Sequence, residues 1–583
     1  MKVKTQKLSK LFTIIGIILI VFGVLAASLN QTAGRTIKIK TVSIVSDEGN
    51  IIQAVMYLPK SATKETPAPG VLAVHGGNSS RYAMNNISQE FARRGYVVIS
   101  IDQSFNGQSD RGTNDHQGAE AVMKYMTTLE FVDQSKLGVM GHSAGAAVVA
   151  MAADNPQFGV KAGISLGAGP MYPADAAINT AVIVGIGDEN TGPRGSDTQV
   201  IGPGYYARSS ALAQAFGVED GSEIVPEQDY GSIEENNLRV FYQPICGHLG
   251  LLYSNEGIGM ALEFMGRVLD IDYSIDVNSQ TWLIREIATG LAYAGLFLLA
   301  FGLMGTLLLR SKAQLIRDVA ATGHAKSNAV YWIFTVVMAL IPLIGLQPIY
   351  MAGKTLMTSI SQNIFAMEHM NGVLFWMLCS AVMILAVSML MKKFTKDYDW
   401  NFDKNVLKIS VKDFLASLKI AVVVALAMYL AVYLAGFFCN VCIRLYNTEV
   451  HIFTPTRFTV FWAYLPIMFL YYFIMAYVHV TCLFRENQPA WVQYVLNAVV
   501  SSFGMICILS VWYGTNMIMG INYLFVWRFV LGVLMNFLPC TIIGALIETY
   551  AYRRTGKVWL GSLVNTIIFC WMSTSIGVML PTV

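Results

Sequence analysis

The sequence predicts an α/β domain with a mainly parallel sheet, joined to an all-α polytopic transmembrane bundle. Three observations predict it. Between residues 36 and 279, short β-branched runs alternate with helical stretches. From residue 287 onward, uncharged apolar runs recur, each long enough to cross a bilayer. The N-terminus is a lysine cluster followed by an uncharged run at 11–29. The chain is 54% apolar and 13% charged, against about 25% charged for soluble domains, and the deficit lies in the C-terminal half.

Lys2, Lys4, Lys7 and Lys10 give residues 1–10 the character of a cytoplasmic N-terminus, and 11–29 reads as a retained transmembrane anchor. Val24-Leu25-Ala26 offers the rival reading, a cleaved signal peptide. Both leave the following domain, 36–279, outside the cytoplasm. The membrane domain, 287–580, is expected to hold about eight helices: 287–309, 329–346, 372–391, 420–438, 460–480, 492–513, 523–547 and 558–580. Threaded alternately, the inner loops collect Arg310, Lys312, Arg317, Lys326, the lysines from Lys392 to Lys419, Arg485, Arg553, Arg554 and Lys557. The outer loops hold Lys354, Arg444 and Arg457. That asymmetry gives a multi-pass cell-membrane protein with its α/β domain outside. Among polar groups in or near the spans, His479, Arg528 and Glu548 are placed close enough to an interface to snorkel. Glu368 and His369, in an outer loop, are positioned to face the α/β domain.

Within 36–279 the expected strands are 38–45, 52–57, 71–74, 97–101, 137–140, 162–165, 181–184 and 238–242, with helices at 87–94, 119–129 and 144–154. Gly141-His142-Ser143-Ala144-Gly145 sits directly between a strand and a helix. That is the context of a nucleophile elbow, a turn so sharp that side chains at the flanking glycines would collide with the neighbouring elements. The bend exposes the Ser143 hydroxyl above the sheet, at the positive end of the following helix.

His75-Gly76-Gly77-Asn78 follows the strand 71–74. Backbone N–H groups of Gly77 and Asn78, with that of Ala144, are the expected oxyanion donors. Asp188 follows the strand 181–184 in a turn, with Glu189 as the adjacent alternative, and supplies the carboxylate that holds an imidazole in the right tautomer. His248 follows the last strand. His75 and His142 lie inside the motifs, His116 precedes the nucleophile, and His324, His369, His451 and His479 lie in the membrane part. His248 is therefore the expected general base.

These motifs, with Asp102, Gly107 and Ser109 in the segment 100–109, make residues 36 to about 270 resemble the α/β-hydrolase superfamily. The nearest group is the one holding dienelactone-hydrolase-like and serine-aminopeptidase-like proteins. Dienelactone hydrolases proper carry a cysteine where this chain has Ser143. The resemblance implies an α/β-hydrolase fold and a Ser143–Asp188–His248 triad working without metal or cofactor.

The function expected is membrane-anchored hydrolysis of an ester, thioester or amide through an acyl-enzyme. A membrane acyltransferase with the same triad is the alternative, as is a transporter or receptor with a degenerate hydrolase domain. The expected partners are the lipid bilayer and a small-molecule, lipid or peptide substrate. A net charge of +3 points to no nucleic acid. Of 8 cysteines only Cys246 lies in the α/β region, which excludes a disulfide scaffold. Cys439 and Cys442, a C-x-x-C, read as two helix-end cysteines.

Overall fold

The computed structural model describes residues 2–112, 116–190, 205–311, 329–394, 404–485, 488–519, 524 and 527–581. The α/β domain is built on one nine-stranded sheet of order β1-β2-β4-β3-β5-β6-β7-β9-β8. Its strands are β1 (Ile37–Val45), β2 (Ile51–Pro59), β3 (Ala68–Val74), β4 (Val97–Ile101), β5 (Val132–His142), β6 (Val160–Leu166), β7 (Asn179–Ile183), β8 (Asp229–Tyr230) and β9 (Arg239–Tyr242). From β4 through β3, β5, β6 and β7 to β9 every neighbour is parallel. The two ends are antiparallel, β1 on β2 on β4 at one and β8 on β9 at the other. This is the mainly parallel sheet expected of an α/β-hydrolase fold. The two-residue β8 was not foreseen, since two residues carry no period-2 signal.

An N-terminal helix α1 (Lys2–Gln31) leads into β1. Helices α2 (Asn85–Arg93), α3 (Ala119–Thr127), α4 (Ala147–Asp154), α5 (Ser210–Phe216) and α6 (Asn255–Val268) cover the sheet on both sides. Ile87, Phe91, Ile258 and Leu262 pack on one face, and Val122, Met123, Val148 and Leu212 on the other. The central strands are buried on both faces: every residue of β4 and β7 is buried, Ser100, Asn179 and Thr180 included.

The C-terminal half is helical: α7 (Trp282–Arg310), α8 (Ala329–Leu340), α9 (Leu346–Ile360), α10 (Glu368–Phe394), α11 (Val411–Cys439), α12 (Pro455–Cys482), α13 (Ala490–Gly514), α14 (Arg528–Thr555) and α15 (Trp559–Thr574). Among the described residues seven helices are long and apolar enough to cross a membrane, or eight if the bent pair α8 and α9 counts as one span. Two expectations differ. The run placed at 329–346 breaks after Leu340, where Pro342 and the left-handed Gly345 (φ 66°) intervene, and resumes as α9 at an angle of 46°. The run placed at 558–580 is a helix only to Thr574, 16 residues. Lys312, Arg317, Lys326, Lys396 and most of the span start at 523 lie outside the described residues.

Large apolar side chains cover the outer faces of these helices. Leu426, Leu430, Leu434 and Phe437 on α11, and Trp491, Val495, Val499 and Phe503 on α13, are all exposed. Water would disfavour such a surface; lipid suits it. Polar groups turn inward instead. His479 and Glu548 are buried and face each other, Nδ1 to Oε1 at 3.4 Å, with Asn497 donating to the same carboxylate oxygen. They do not snorkel to an interface. Glu368 and His369 also differ from expectation: Glu368 pairs with Lys354 at 2.6 Å and His369 with the Tyr350 hydroxyl, both on α9.

The helix α1 lies along α7 at backbone contact. A methyl group on Gly16 would stand 2.6 Å from the Leu299 nitrogen, and one on Gly295 would stand 2.8 Å from the Gly16 oxygen. Small residues permit such an approach between helices in lipid.

Candidate active site

The site is assembled from loops at the carboxyl ends of the parallel strands. β5 ends at His142, and the chain turns at once into a short helical turn at Ser143–Ala146 that runs into α4. Ser143 holds φ 53°, a left-handed conformation that costs a non-glycine residue on the order of 1 kcal/mol or more. The flanking glycines are steric necessities. A side chain on Gly141 would collide with the Gly145 carbonyl, and one on Gly145 would stand 2.5 Å from the Val74 oxygen of β3. The motif therefore forms the strained strand-to-helix bend that its spacing predicts.

Asp188 and His248 come together from loops sixty residues apart. His248 Nδ1 stands 2.9 and 3.0 Å from the two carboxylate oxygens of Asp188, and both side chains are buried. Glu189 turns elsewhere: its Oε2 accepts the backbone N–H of His248 at 2.9 Å. The adjacent carboxylates thus hold the two ends of one histidine, Asp188 the ring and Glu189 the backbone. His142 fixes the ring from the other side, its Nε2 3.1 Å from the His248 carbonyl oxygen and the two ring centroids 4.7 Å apart. Since His142 precedes Ser143, the same contact brings the elbow beside His248. Among the described residues the Ser143 hydroxyl makes no hydrogen bond, to His248 or to any other group.

Electrostatics separate the ionisable groups. Burial opposes a charge on His248, but the Asp188 carboxylate outweighs it and raises the imidazole above its usual value. Burial, then the neighbouring His248, lowers His142 to about 3, so it stays neutral. Burial, then the charge of Asp188, pushes Glu189 up to about 7. Cys246 is raised to about 12 by burial and nearby carboxylates, and is inert as a thiolate nucleophile at neutral pH.

The loop after β3 lies against the elbow. A methyl on Gly76 would stand 3.1 Å from Ser143 Cβ, and one on Gly77 would stand 3.9 Å from Ala144 Cβ. Gly77 and Ala144 are both exposed beside the serine. Asn78 also has a left-handed backbone, φ 56°. Asp102 is buried in a different role: it pairs with Arg81 and accepts N–H groups from Arg81 at 2.6 Å and Gln108 at 2.8 Å, which shapes the loop after β4.

Sequence reasoning missed the contribution of the helical half. Asn516, just past α13, donates from Nδ2 to the carbonyl oxygen of Gly187, the residue before Asp188. Met517 lies so close that any side chain on Gly187 would strike its sulfur. The segment after α15 reaches the loop after β3, the Val578 N–H donating to Asn78 Oδ1 at 3.0 Å. Arg457 on α12 binds both parts, Nε to the Gly107 carbonyl at 2.6 Å and Nη2 to the Gly577 carbonyl at 2.7 Å. No spacing or periodicity marks such single contacts.

Comparison with known proteins agrees with this architecture. Residues 69–185 match the family model described as alpha/beta hydrolase fold. The uncharacterized protein YcjY of Escherichia coli K12 is 29% identical over 110 residues, 18% of this chain and 36% of that one. The chain thus spans about a third of that relative. Among solved structures, a putative dienelactone hydrolase from Klebsiella pneumoniae is 18% identical, covering 40% of this chain and 99% of its own with a TM-score of 0.29. A Pyrococcus furiosus esterase is 14% identical, covering 41% and 94%, also with a TM-score of 0.29.

Proposed function

We propose that this α/β-hydrolase-fold chain is a membrane-anchored serine hydrolase that cleaves an ester, thioester or amide outside the cytoplasm. Ser143 Oγ attacks the carbonyl carbon while His248 takes the hydroxyl proton on Nε2. Asp188 keeps the other nitrogen protonated and offsets the positive ring. The carbonyl oxygen, negative as the tetrahedral species forms, lies against the N–H groups of Gly77, Asn78 and Ala144. Return of the proton from His248 to the leaving group frees it and leaves an acyl-enzyme. Water, deprotonated by the same imidazole, then releases the acid and restores Ser143.

The observation that carries this reading is the buried Asp188–His248 pair, which His142 ties to the elbow where Ser143 is held at φ 53°. Strain of that kind is kept where the surroundings enforce it. Sidedness rests on charge. Threaded alternately from the N-terminal lysines, the loops assigned to the inner side collect most of the Lys and Arg residues, which puts the hydrolase domain on the other side. The three exceptions all have local partners: Lys354 pairs with Glu368, Arg444 with Glu286, and Arg457 with backbone carbonyls. A cation held this way is no longer a free loop charge. The close fit of α1 on α7 supports a retained anchor.

The purified full-length protein, treated with a fluorophosphonate and digested, tests the nucleophile. Mass spectrometry is expected to locate one adduct on Ser143, absent from Ser143→Ala. An adduct on another serine refutes the assignment.

A further inference from the structure

Between α11 and α12 the chain forms a small hairpin, β10 (Ile443–Leu445) and β11 (Thr448–Val450), turned at Tyr446 and Asn447. Ile443 pairs with Val450 and Arg444 with Glu449, so Cys442 falls opposite His451. Because side chains alternate along a strand, Cys442, Arg444, Glu449 and His451 share one face of the hairpin. All four are buried, although arginine and glutamate ordinarily seek water. That face is pressed against the hydrolase domain. Ser80 donates to Glu449 Oε2 at 2.6 Å, and the Tyr82 ring lies 5.3 Å from that of His451.

The donor atoms converge on one point. His451 Nε2 is 2.7 Å from Glu449 Oε2 and 3.8 Å from Cys442 Sγ, and one ligand atom from each residue lies within 4.8 Å of the others. A proton relay from thiol to carboxylate would run through both ring nitrogens. Here the thiol and the carboxylate meet the same nitrogen, which is the arrangement of ligands around a common centre. Glu449 Oε1 is buried without a hydrogen-bond partner; its nearest cation is Arg444 Nη1, at 3.7 Å. Arg444 commits its donors to Glu286 and the Tyr82 carbonyl.

We propose that Cys442, Glu449 and His451 bind one divalent cation of the zinc class. A thiolate, an imidazole and a carboxylate are the donor set zinc prefers, and the soft sulfur disfavours calcium and magnesium. Tetrahedral zinc bonds set sulfur and nitrogen about 3.6 Å apart and nitrogen and oxygen about 3.3 Å apart. The first spacing is nearly present. The second opens by roughly half an ångström when the metal replaces the proton between His451 and Glu449. Binding releases the Cys442 proton to solvent, the proton displaced from His451 Nε2 is carried on Nδ1 so that the imidazole stays neutral, and the thiolate and carboxylate then balance the dication. Glu449 Oε1 is free to complete a bidentate carboxylate, while the Ser80 hydroxyl orients Oε2 from outside. The cation would fasten the hairpin to Ser80, two residues beyond Asn78 of the candidate oxyanion loop.

The test uses the full-length protein purified in detergent without chelators. Metal analysis is expected to find about one zinc per chain. Cobalt loading is expected to give a near-ultraviolet thiolate-to-metal absorption. Cys442→Ser should remove that band, and His451→Ala should lower zinc affinity by on the order of tenfold or more. Glu449→Gln keeps the side-chain shape and should also weaken binding, with size-exclusion elution reporting folding in each variant. Wild-type protein that retains no zinc and shows no cobalt band overturns the proposal, as does a band that survives Cys442→Ser.

Discussion

Asn516, just past α13, donates a hydrogen bond to the carbonyl oxygen of Gly187, next to the carboxylate that holds His248. The helical half is therefore part of the candidate site, not only a tether. Asn516→Ala removes one buried hydrogen bond, worth about 1 kcal/mol or somewhat more. Turnover of a chromogenic ester by the detergent-solubilised protein should drop about tenfold, with unchanged elution and melting within a few degrees. An unaltered kcat would mean that α13 only lies nearby.

Asp188 and Glu189 are adjacent but not equivalent. Asp188→Asn should lower kcat by roughly a thousandfold or more, because the amide favours the wrong imidazole tautomer. Glu189→Gln keeps an acceptor for the His248 N–H and should cost less than about tenfold. If the two effects are reversed, the imidazole partner is Glu189.

His248 must be neutral to accept a proton, and Asp188 raises its pKa. Activity should therefore fall as pH drops through a value above the ordinary imidazole value of about 6.5. Glu189 also raises His248, though less than Asp188 does. In Glu189→Gln the acid limb of kcat/KM against pH should move to lower pH. A limb that moves upward contradicts the electrostatic account.

Glu189 also makes a stability prediction. Its folded pKa, about 7, lies above the ordinary 4.5, so the folded state holds this proton more tightly than the unfolded chain. The stabilisation is present below pH 4.5 and is lost as pH rises through 7. Wild-type protein should melt lower at pH 8 than at pH 5, and Glu189→Gln should narrow that gap. Equal gaps in the two proteins would show Glu189 to be ionised throughout.

Arg444 is buried and pairs with the half-buried Glu286, which Arg285 also contacts at 2.9 Å, so removing Arg444 leaves that carboxylate one cation of two. Arg444→Met should cost about 1.5–3 kcal/mol, read as a fall in melting temperature. The double variant with Glu286→Gln should recover part of it. A single variant as stable as wild type would show that the pair contributes nothing.

What the sequence made legible was local. Gly141, Ser143 and Gly145 reveal an elbow because steric exclusion demands small residues at fixed spacing, and the buried strand β3 announces itself in the apolar run Val71–Val74. Asp188 could be separated from Glu189 only in three dimensions, since neighbouring residues share every sequence context. The break between α8 and α9 was encoded in Pro342 and Gly345 but hidden by uninterrupted hydrophobicity. The Cys442, Glu449 and His451 cluster escaped notice because a C-x-x-C draws the eye to Cys439, whereas the residue facing Cys442 lies across a hairpin. Contacts from Asn516 and Val578 to the loops of the candidate site depend on domain docking, for which one polar residue and one backbone N–H leave no pattern.

Labelling of intact cells with a membrane-impermeant fluorophosphonate tests nucleophile and sidedness together. The account predicts labelling of the wild-type protein at the cell surface and none of Ser143→Ala at equal expression. Labelling that requires cell lysis, or that persists in Ser143→Ala, would contradict it.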